Sequence, residues 1–322
     1  ISDGRGTSSP EPRPSTSGLE GGRRPSETHD LSEEARNLLR NARRDSSKAT
    51  YEGPWRKWCS WCDREQINPV QASVEQVIEF LADRVETESL QYSTLNLYRS
   101  VLSAYHPPID GFKVGQHPLV RDLLRGAFNT RPPQPRYTET WDVDKVINTL
   151  LKWEDNDQLN LSDITHKLTM LMALVSASRC SELSLLEVSL MQDHGDKVIF
   201  HMGKLTKSRN QNRPNQSVTF KEYVGNPKLD VVSCLRAYLN KTSESRVTQL
   251  QQSRLFLAVK KPHQPVKPCT IARWLKVVME KAGLDVNIFK AHSVRGASTS
   301  KANKLGLSTQ QIMDRANWAK AR

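Results

Sequence analysis

The sequence lacks long apolar runs and is poor in cysteine. No uninterrupted apolar stretch approaches the ~20 residues that a helix needs to cross a bilayer. The first residues contain no apolar core of the kind found in a secretory signal peptide. Five cysteines in 322 residues are too few for a disulfide framework. These absences exclude a membrane-spanning or disulfide-stapled protein and predict an intracellular chain in a reducing compartment, without a membrane partner.

Acidic residues are outnumbered by basic ones. Lysine and arginine total 47 against 35 aspartates and glutamates, which leaves a formal net charge of +12. A balance that basic favours a polyanionic partner. The charge alone is equally compatible with a basic protein that binds no polyanion.

Composition and apolar periodicity divide the chain into four parts. Residues 1–30 are rich in serine and proline without an apolar period, which predicts a disordered tail. Helical patterns fill 31–129, where Ser73 is a predicted N-cap with Gln76 in the capping-box position. Pro132, Pro133 and Pro135 make 130–140 a predicted stiff, basic linker. The second domain is predicted over 141–322.

The second domain mixes two kinds of periodicity. Helices are predicted near 142–153, 163–176, 229–240, 270–282, 291–304 and 308–315. Strands are predicted at 198–202, 217–220 and 255–257. The predicted fold is therefore an all-α first domain and a mainly α second domain with a small β-hairpin or sheet, an α+β arrangement.

One short segment places an arginine beside a glutamate. Arg179 stands in Ser-Arg-Cys-Ser-Glu-Leu after a long apolar helical pattern, and Glu182 follows three residues later. Residues three apart on a helix are neighbours, so the carboxylate is expected beside the guanidinium on one face. An ordinary surface ion pair is the alternative that this segment leaves open.

Two further segments carry groups that can act on a phosphate. Residues 201–208, His-Met-Gly-Lys-Leu-Thr-Lys-Ser, connect two predicted strands, and a lysine on a hairpin turn can protonate a leaving oxygen. His292 and Arg295 are spaced i, i+3, which is expected to put both side chains on one helix face. An arginine there can form a forked contact with phosphate oxygens. Each segment alone also fits a solvated basic loop or an ordinary helix.

The order of these segments resembles the tyrosine recombinase family, also called the phage integrase family, over about residues 31–322. The resemblance implies an all-α core-binding domain at 31–129, a catalytic domain at 141–322, and a two-domain DNA clamp. It extends to the mobile-element type found in DIRS-like retroelements or cryptons, which implies a nuclear protein if the source is eukaryotic. The catalytic residues that the resemblance implies are Arg179, Lys207, His292, Arg295 and Trp318, with Glu182 and Lys204 in support.

The family's chemistry needs no metal or nucleotide cofactor. A tyrosine oxygen attacks a DNA phosphodiester, and a 3′-phosphotyrosyl link conserves the bond energy. In the family that tyrosine lies shortly after the position of Trp318, whereas the last tyrosine here is Tyr238 and only four residues follow Trp318. We therefore expect a catalytic domain truncated at its C-terminus that binds DNA without cleaving it.

The resemblance also implies double-stranded DNA as partner and a homo-tetramer on DNA in the full-length form. Expected contacts to the DNA backbone are Lys204, Lys207, Arg209, Arg213, Lys260 and Lys261. Three other interpretations stay open: a noncatalytic DNA-binding protein derived from a mobile-element recombinase, a type IB topoisomerase, and a helical scaffold with no nucleic-acid role. The Cys59-x-x-Cys62 pair is expected in a helix core rather than on zinc, because no second ligand pair accompanies it.

Overall fold

The computed structural model describes residues 31–135, 137–204, 206 and 216–316. The chain divides into two compact units, Ile1–Pro135 and Arg136–Arg322. The predicted tail at 1–30 lies outside the described residues, as do Lys207, Arg209, Arg213 and Trp318. In the described part, no helix is long and apolar enough to cross a membrane.

The first unit is helical. Ser73 caps the third helix as predicted: its Oγ accepts a hydrogen bond from the Gln76 backbone, and the Gln76 Oε1 accepts one of 2.8 Å from the Ser73 backbone. Such a reciprocal cap satisfies two backbone donors that the first turn leaves without partners. The helices of this unit are α1 Glu33–Arg40, α2 Asp45–Arg64, α3 Val74–Glu88, α4 Tyr92–Tyr105 and α5 Pro118–Thr130.

Aromatic and sulfur side chains of α2 build the core of this unit. Trp58 is fully buried, stacks on Trp61 with 5.7 Å between ring centroids, and meets Phe80 edge-on. Cys59 and Cys62 are buried beside them, and burial raises the pKa of Cys59 to about 11 and that of Cys62 to about 12. These thiols stay protonated and pack as apolar groups, which agrees with the predicted helix core.

The second unit joins eight helices of the described part to a small sheet. Its helices are α6 Val143–Leu151, α7 Leu161–Ser176, α8 Cys180–Leu183, α9 Val231–Thr242, α10 Gln249–Ser253, α11 Pro268–Lys281, α12 Ser293–Lys304 and α13 Thr309–Arg315. Its strands are β1 Met191–Asp193, β2 Lys197–His201 and β3 Ser217–Lys221. The predicted mainly α fold with a small sheet is thereby confirmed.

Helix α7 lies at the centre of the second unit. Every residue from Ile164 to Ala173 is buried, because α9, α11 and α12 all pack against this helix. A helix enclosed in this way needs no polar face. This buried stretch also contains polar side chains, and among them Lys167 is fully buried, with its Nζ donating a long 3.5 Å bond to the carbonyl of Glu154.

The sheet covers one side of this core in the order β1-β2-β3, with all pairs antiparallel. Val198 lies opposite Phe220 and Phe200 opposite Val218, so the alternating buried side chains of β2 and β3 share one face. Strand β1 was not predicted, because its three residues are too few to show an alternating pattern.

The predicted strand at 255–257 was wrong. Leu255, Phe256 and Leu257 are buried, but the segment around them makes only the isolated bridges Glu187–Arg254 and Leu257–Pro265. The apolar residues of this run are buried without belonging to a β-ladder. A short apolar run does not by itself distinguish a strand from another kind of buried segment.

Candidate functional site

A tight turn after α7 sets the position of Arg179. Helix α7 ends at Ser176, and Ala177 takes the left-handed conformation with φ 46°. The Ser176 Oγ accepts a 3.2 Å bond from the Ser178 backbone, an alternative to helical bonding that serine hydroxyls offer. Arg179 is consequently extended, with φ −76° and ψ 153°, and is the N-cap of α8. The expectation that Arg179 and Glu182 share one helix face was therefore wrong, because this turn leaves Arg179 just before the first residue of α8.

Arg179 and Glu182 nevertheless form the predicted ion pair. The Arg179 Nη1 donates a 2.6 Å bond to Oε1 of Glu182, and the Arg179 backbone N–H donates a 2.8 Å bond to Oε2. Glu182 is only 5% exposed. The carboxylate therefore fixes both the guanidinium and the backbone of Arg179, through a helix cap rather than a shared helix face.

Arg295 approaches the same carboxylate from α12. Its side chain is 6% exposed, and its Nη1 lies 3.8 Å from Oε2 of Glu182. Nη1 also donates a 2.7 Å bond to the carbonyl of Ala177, and Nη2 donates one of 2.7 Å to the carbonyl of Ala316. Two arginines from distant parts of the sequence thus flank one buried glutamate.

The electrostatics of this cluster favour an anion. Burial first, and then the charge of Arg179, lower the pKa of Arg295 to about 10, while Glu182 raises it. Arg295 therefore stays cationic at neutral pH. Two guanidinium groups and one carboxylate leave a net charge of +1 in a setting with little competing water, where fixed charges act strongly. We call Arg179, Glu182 and Arg295 the arginine cluster.

His292 and Arg295 do not share an environment. His292 is the N-cap of α12 and is exposed, whereas Arg295 is buried in the first turn. The start of α12 is anchored by a 2.8 Å bond from the Trp141 Nε1 to the Oγ of Ser293, inside the core. No sequence pattern indicates that Trp141 bonds Ser293, because the two residues lie far apart along the chain.

Lys204 follows β2 and is exposed. The base of its loop is closed by the bond from the Met202 backbone to the carbonyl of Gln216, 2.9 Å, and by the Thr206 hydroxyl on the Gln216 side chain. A Cβ on Gly203 would lie 2.7 Å from Cδ1 of Leu190, so the glycine allows a close approach just before the lysine. Lys260 and Lys261 are exposed on a separate loop before α11.

The structure brings together three of the predicted site residues, which are Arg179, Glu182 and Arg295. The carbonyls of Ala177 and Ala316 complete this arrangement and were not predicted. Every residue carries a backbone carbonyl, so no sequence signal distinguishes these two.

Comparison with known proteins agrees with this fold. Residues 143–322 match the model described as the phage integrase family. Over 280 residues the chain is 21% identical to an integrase/recombinase XerD homolog of Selenomonas ruminantium, a match that covers 84% of this chain and 78% of that protein.

Solved structures of similar fold include three protein–DNA complexes. The XerH site-specific recombinase in a post-cleavage complex with palindromic difH substrate has a TM-score of 0.58 at 14% identity, covering 84% of this chain and 73% of that one. The Tn1549 transposon integrase with transposon right end DNA has a TM-score of 0.58 at 13% identity, covering 89% and 90%. A lambda integrase tetramer bound to a Holliday junction has a TM-score of 0.50 at 13% identity, covering 89% and 72%. At such identities the likeness establishes the fold.

Proposed function

Because the chain belongs to the phage integrase family, the family of tyrosine recombinases, we propose that it binds double-stranded DNA and takes part in site-specific recombination through a 3′-phosphotyrosyl intermediate. The observation that carries this proposal is the arginine cluster. Two guanidinium groups around one buried carboxylate form a positively charged cluster. Such a cluster suits a phosphodiester better than a neutral substrate.

The reaction consists of two phosphoryl transfers. A tyrosine hydroxyl gives up its proton as its oxygen forms a bond to phosphorus, the bond from phosphorus to the 5′ oxygen breaks, and the leaving oxygen takes up a proton. A 5′-hydroxyl of a partner strand then reverses the step. Negative charge on the nonbridging oxygens grows in the transition state, so fixed cations lower the barrier. Arg179 and Arg295 supply these cations, and Glu182 keeps Arg179 oriented.

The remaining roles fall to the other residues that the family resemblance implies. Lys207 on the β2–β3 connection donates the proton to the leaving oxygen, with Lys204 as the alternative donor. His292 at the exposed start of α12 assists proton transfer or donates a hydrogen bond to the phosphate. Trp318 packs against the site or donates its indole N–H. These assignments rest on the family resemblance.

Tyr238 does not supply the nucleophile. It is the last tyrosine in the sequence, but it is fully buried, and its oxygen accepts a 3.0 Å bond from the Leu257 backbone. Burial raises the pKa of Tyr238 to about 12, which disfavours the phenolate further. In this proposal the attacking tyrosine lies outside the 322 residues, as expected from the family.

DNA is held through its backbone. Proposed contacts are Arg209, Arg213, Lys260 and Lys261, whose charges position the duplex without reading its sequence. A homo-tetramer on DNA is proposed for the full-length protein, and the lambda integrase tetramer on a Holliday junction, a structure of similar fold, supports this proposal. The alternative function is noncatalytic DNA binding by a protein derived from a mobile-element recombinase.

Two measurements on the protein expressed from its complete reading frame test this proposal. Fluorescence anisotropy with a labelled duplex is expected to show affinity that falls steeply between about 50 and 200 mM salt. A nicked duplex, whose cleaved end diffuses away, is expected to trap a protein–DNA adduct that survives detergent, and Arg179→Ala is expected to reduce it. Affinity that is independent of salt contradicts the proposal. Salt-dependent binding without an adduct selects the noncatalytic alternative.

A further inference from the structure

The exposed lysine pair lies on a narrow loop that leads into α11. We call residues 258–264 the basic loop. The Ala258 backbone donates a 2.8 Å bond to the carbonyl of Gln264, and the His263 backbone donates a 3.0 Å bond to that of Lys260. A backbone bridge between Leu257 and Pro265 closes the base. Lys260 and Lys261 are therefore presented on a short, internally bonded loop.

A buried glutamine in α10 holds the side of the basic loop. Gln251 is 5% exposed, and its Nε2 donates a 2.8 Å bond to the carbonyl of Pro262 and a 3.3 Å bond to that of His263. Its Oε1 accepts from the backbone of Thr248 at 2.9 Å and from the Thr248 hydroxyl at 3.0 Å. Both amide protons and both acceptor positions of this side chain are in use.

Helix capping accounts for only half of these bonds. A capping box needs the Oε1 of the glutamine alone, as in the box of Ser73 and Gln76 on α3. Gln251 makes the same box with Thr248 and commits its Nε2 to the loop as well. It is also buried, whereas Gln76 is partly exposed.

Arg246, four residues beyond the end of α9, fixes the backbone around Gln251. Arg246 donates 2.8 Å and 2.6 Å bonds from Nη1 to the carbonyls of Gln251 and Arg254. Its Nη2 donates a 2.8 Å bond to the carbonyl of Leu255. The short helix α10 is thus tied down at its C-terminal end, and the Gln251 side chain projects from a fixed support.

We propose that Gln251 is a positioning residue that holds the basic loop in the shape in which Lys260 and Lys261 meet two DNA phosphates. A loop already ordered loses less conformational entropy when its lysines bind, so the same two charges give tighter binding. Gln251 itself is buried and does not touch DNA. This inference rests on the proposed function, because it presupposes DNA binding by this chain.

The test is a double-mutant cycle on DNA affinity with the full chain and a labelled duplex, measured over a range of salt concentrations. Lys260→Ala/Lys261→Ala is expected to reduce the magnitude of the salt slope by about 2, since each lost phosphate contact contributes about 0.9. Gln251→Met keeps size and neutrality but removes the amide, and is expected to weaken binding about three- to tenfold. Adding Gln251→Met to the lysine variant is expected to cause no further loss. Gln76→Met, which loses a cap of the same kind, is expected to leave affinity unchanged.

Hydrogen exchange provides a second readout on the same variants. In Gln251→Met the amides of Ala258 and His263 are expected to exchange faster, while those of α9 and α11 stay protected, which separates loop release from global unfolding. Additive losses in the cycle, or unchanged exchange in the loop, would overturn the positioning role. If Lys260→Ala/Lys261→Ala bound DNA with unchanged affinity and salt slope, the role of the basic loop would be overturned, but the proposed DNA binding by the chain would not. Absence of DNA binding by the unmodified chain would instead refute the proposed function.

Discussion

The Arg295 guanidinium donates a 2.7 Å hydrogen bond to the backbone carbonyl of Ala316, at the end of α13. The same side chain bonds the carbonyl of Ala177 at the end of α7. One buried cation therefore ties two helix ends together beside Glu182. Arg295, which we propose to bind the phosphate, therefore also stabilises the fold, and we call this second role the brace. The two roles predict different consequences of substitution.

Replacement of this brace is expected to be costly. Arg295→Lys keeps the charge, but its single ammonium group does not reproduce the fork that reaches both carbonyls. We expect a loss of about 2–4 kcal/mol in the free energy of unfolding, since buried acceptors and Glu182 lose partners. Urea denaturation measures this. Arg125→Lys, in an exposed pair with Asp122, is the control and is expected to change stability by less than about 0.5 kcal/mol. Equal midpoints for both variants would contradict the brace.

The glutamate between the arginines is expected to oppose anion binding while it supports the fold. Glu182→Gln preserves shape but removes the negative charge between Arg179 and Arg295. We expect the variant to be less stable in low-salt buffer, by about 1–3 kcal/mol. We also expect sulfate to raise its melting temperature more than that of the unmodified protein, because an anion restores the missing charge. Melting curves over a sulfate series measure both effects, and equal sulfate responses would show that the cluster is not an anion site.

The buried lysine of α7 predicts a pH dependence of stability. Burial lowers the pKa of Lys167 from its ordinary value of 10.5. Between the lowered value and the ordinary one, the unfolded chain binds the proton and the folded chain does not, so stability rises with pH across that window. Lys167→Met is expected to be more stable at pH 7 and to lose this rise. Urea unfolding at pH 7 and 9.5 measures it, with Lys152→Met at an exposed position as the control. Parallel pH profiles in all three proteins would refute the assignment.

The bond between Trp141 and Ser293 predicts coupling between the start of the second unit and α12. Trp141→Phe and Ser293→Ala each remove the 2.8 Å buried bond and are each expected to cost about 1–2 kcal/mol. The double variant is expected to cost less than the sum, because both changes delete one interaction. Denaturant unfolding of the four proteins completes the cycle. If the losses in the free energy of unfolding were strictly additive, the hydrogen bond between Trp141 and Ser293 would not contribute to stability.

Apolar periodicity predicted most helices because one buried face repeats every three or four residues. The capping box at Ser73 and the buried Cys59 and Cys62 followed from equally local rules. The pairing of Arg179 with Glu182 was also predicted, since it depends on three residues of spacing. Its backbone conformation was not, because two serine hydroxyls at the end of α7 decide where that helix stops.

The other gaps have a common physical cause. The bonds of Arg295 reach carbonyls 118 and 21 residues away, and those of Gln251 reach the far side of a loop. The acceptors of these bonds are backbone carbonyls, which every residue has, so the sequence does not show which residues accept them. The segment around Phe256 failed for a related reason. Its apolar residues correctly indicated burial, but no sequence pattern shows whether a neighbouring strand is present to pair with it.

Helix α7 is buried from Ile164 to Ala173 and is joined at its end to the turn that carries Arg179, so its residues cannot shift along the helix. One inserted or deleted residue would rotate everything beyond it by about 100° and shift it by about 1.5 Å along the axis. Either the buried side chains would leave their neighbours or Arg179 would turn away from Arg295. Variation among natural or engineered versions should therefore replace residues in α7 but never change its length, and insertions should collect in the exposed connections.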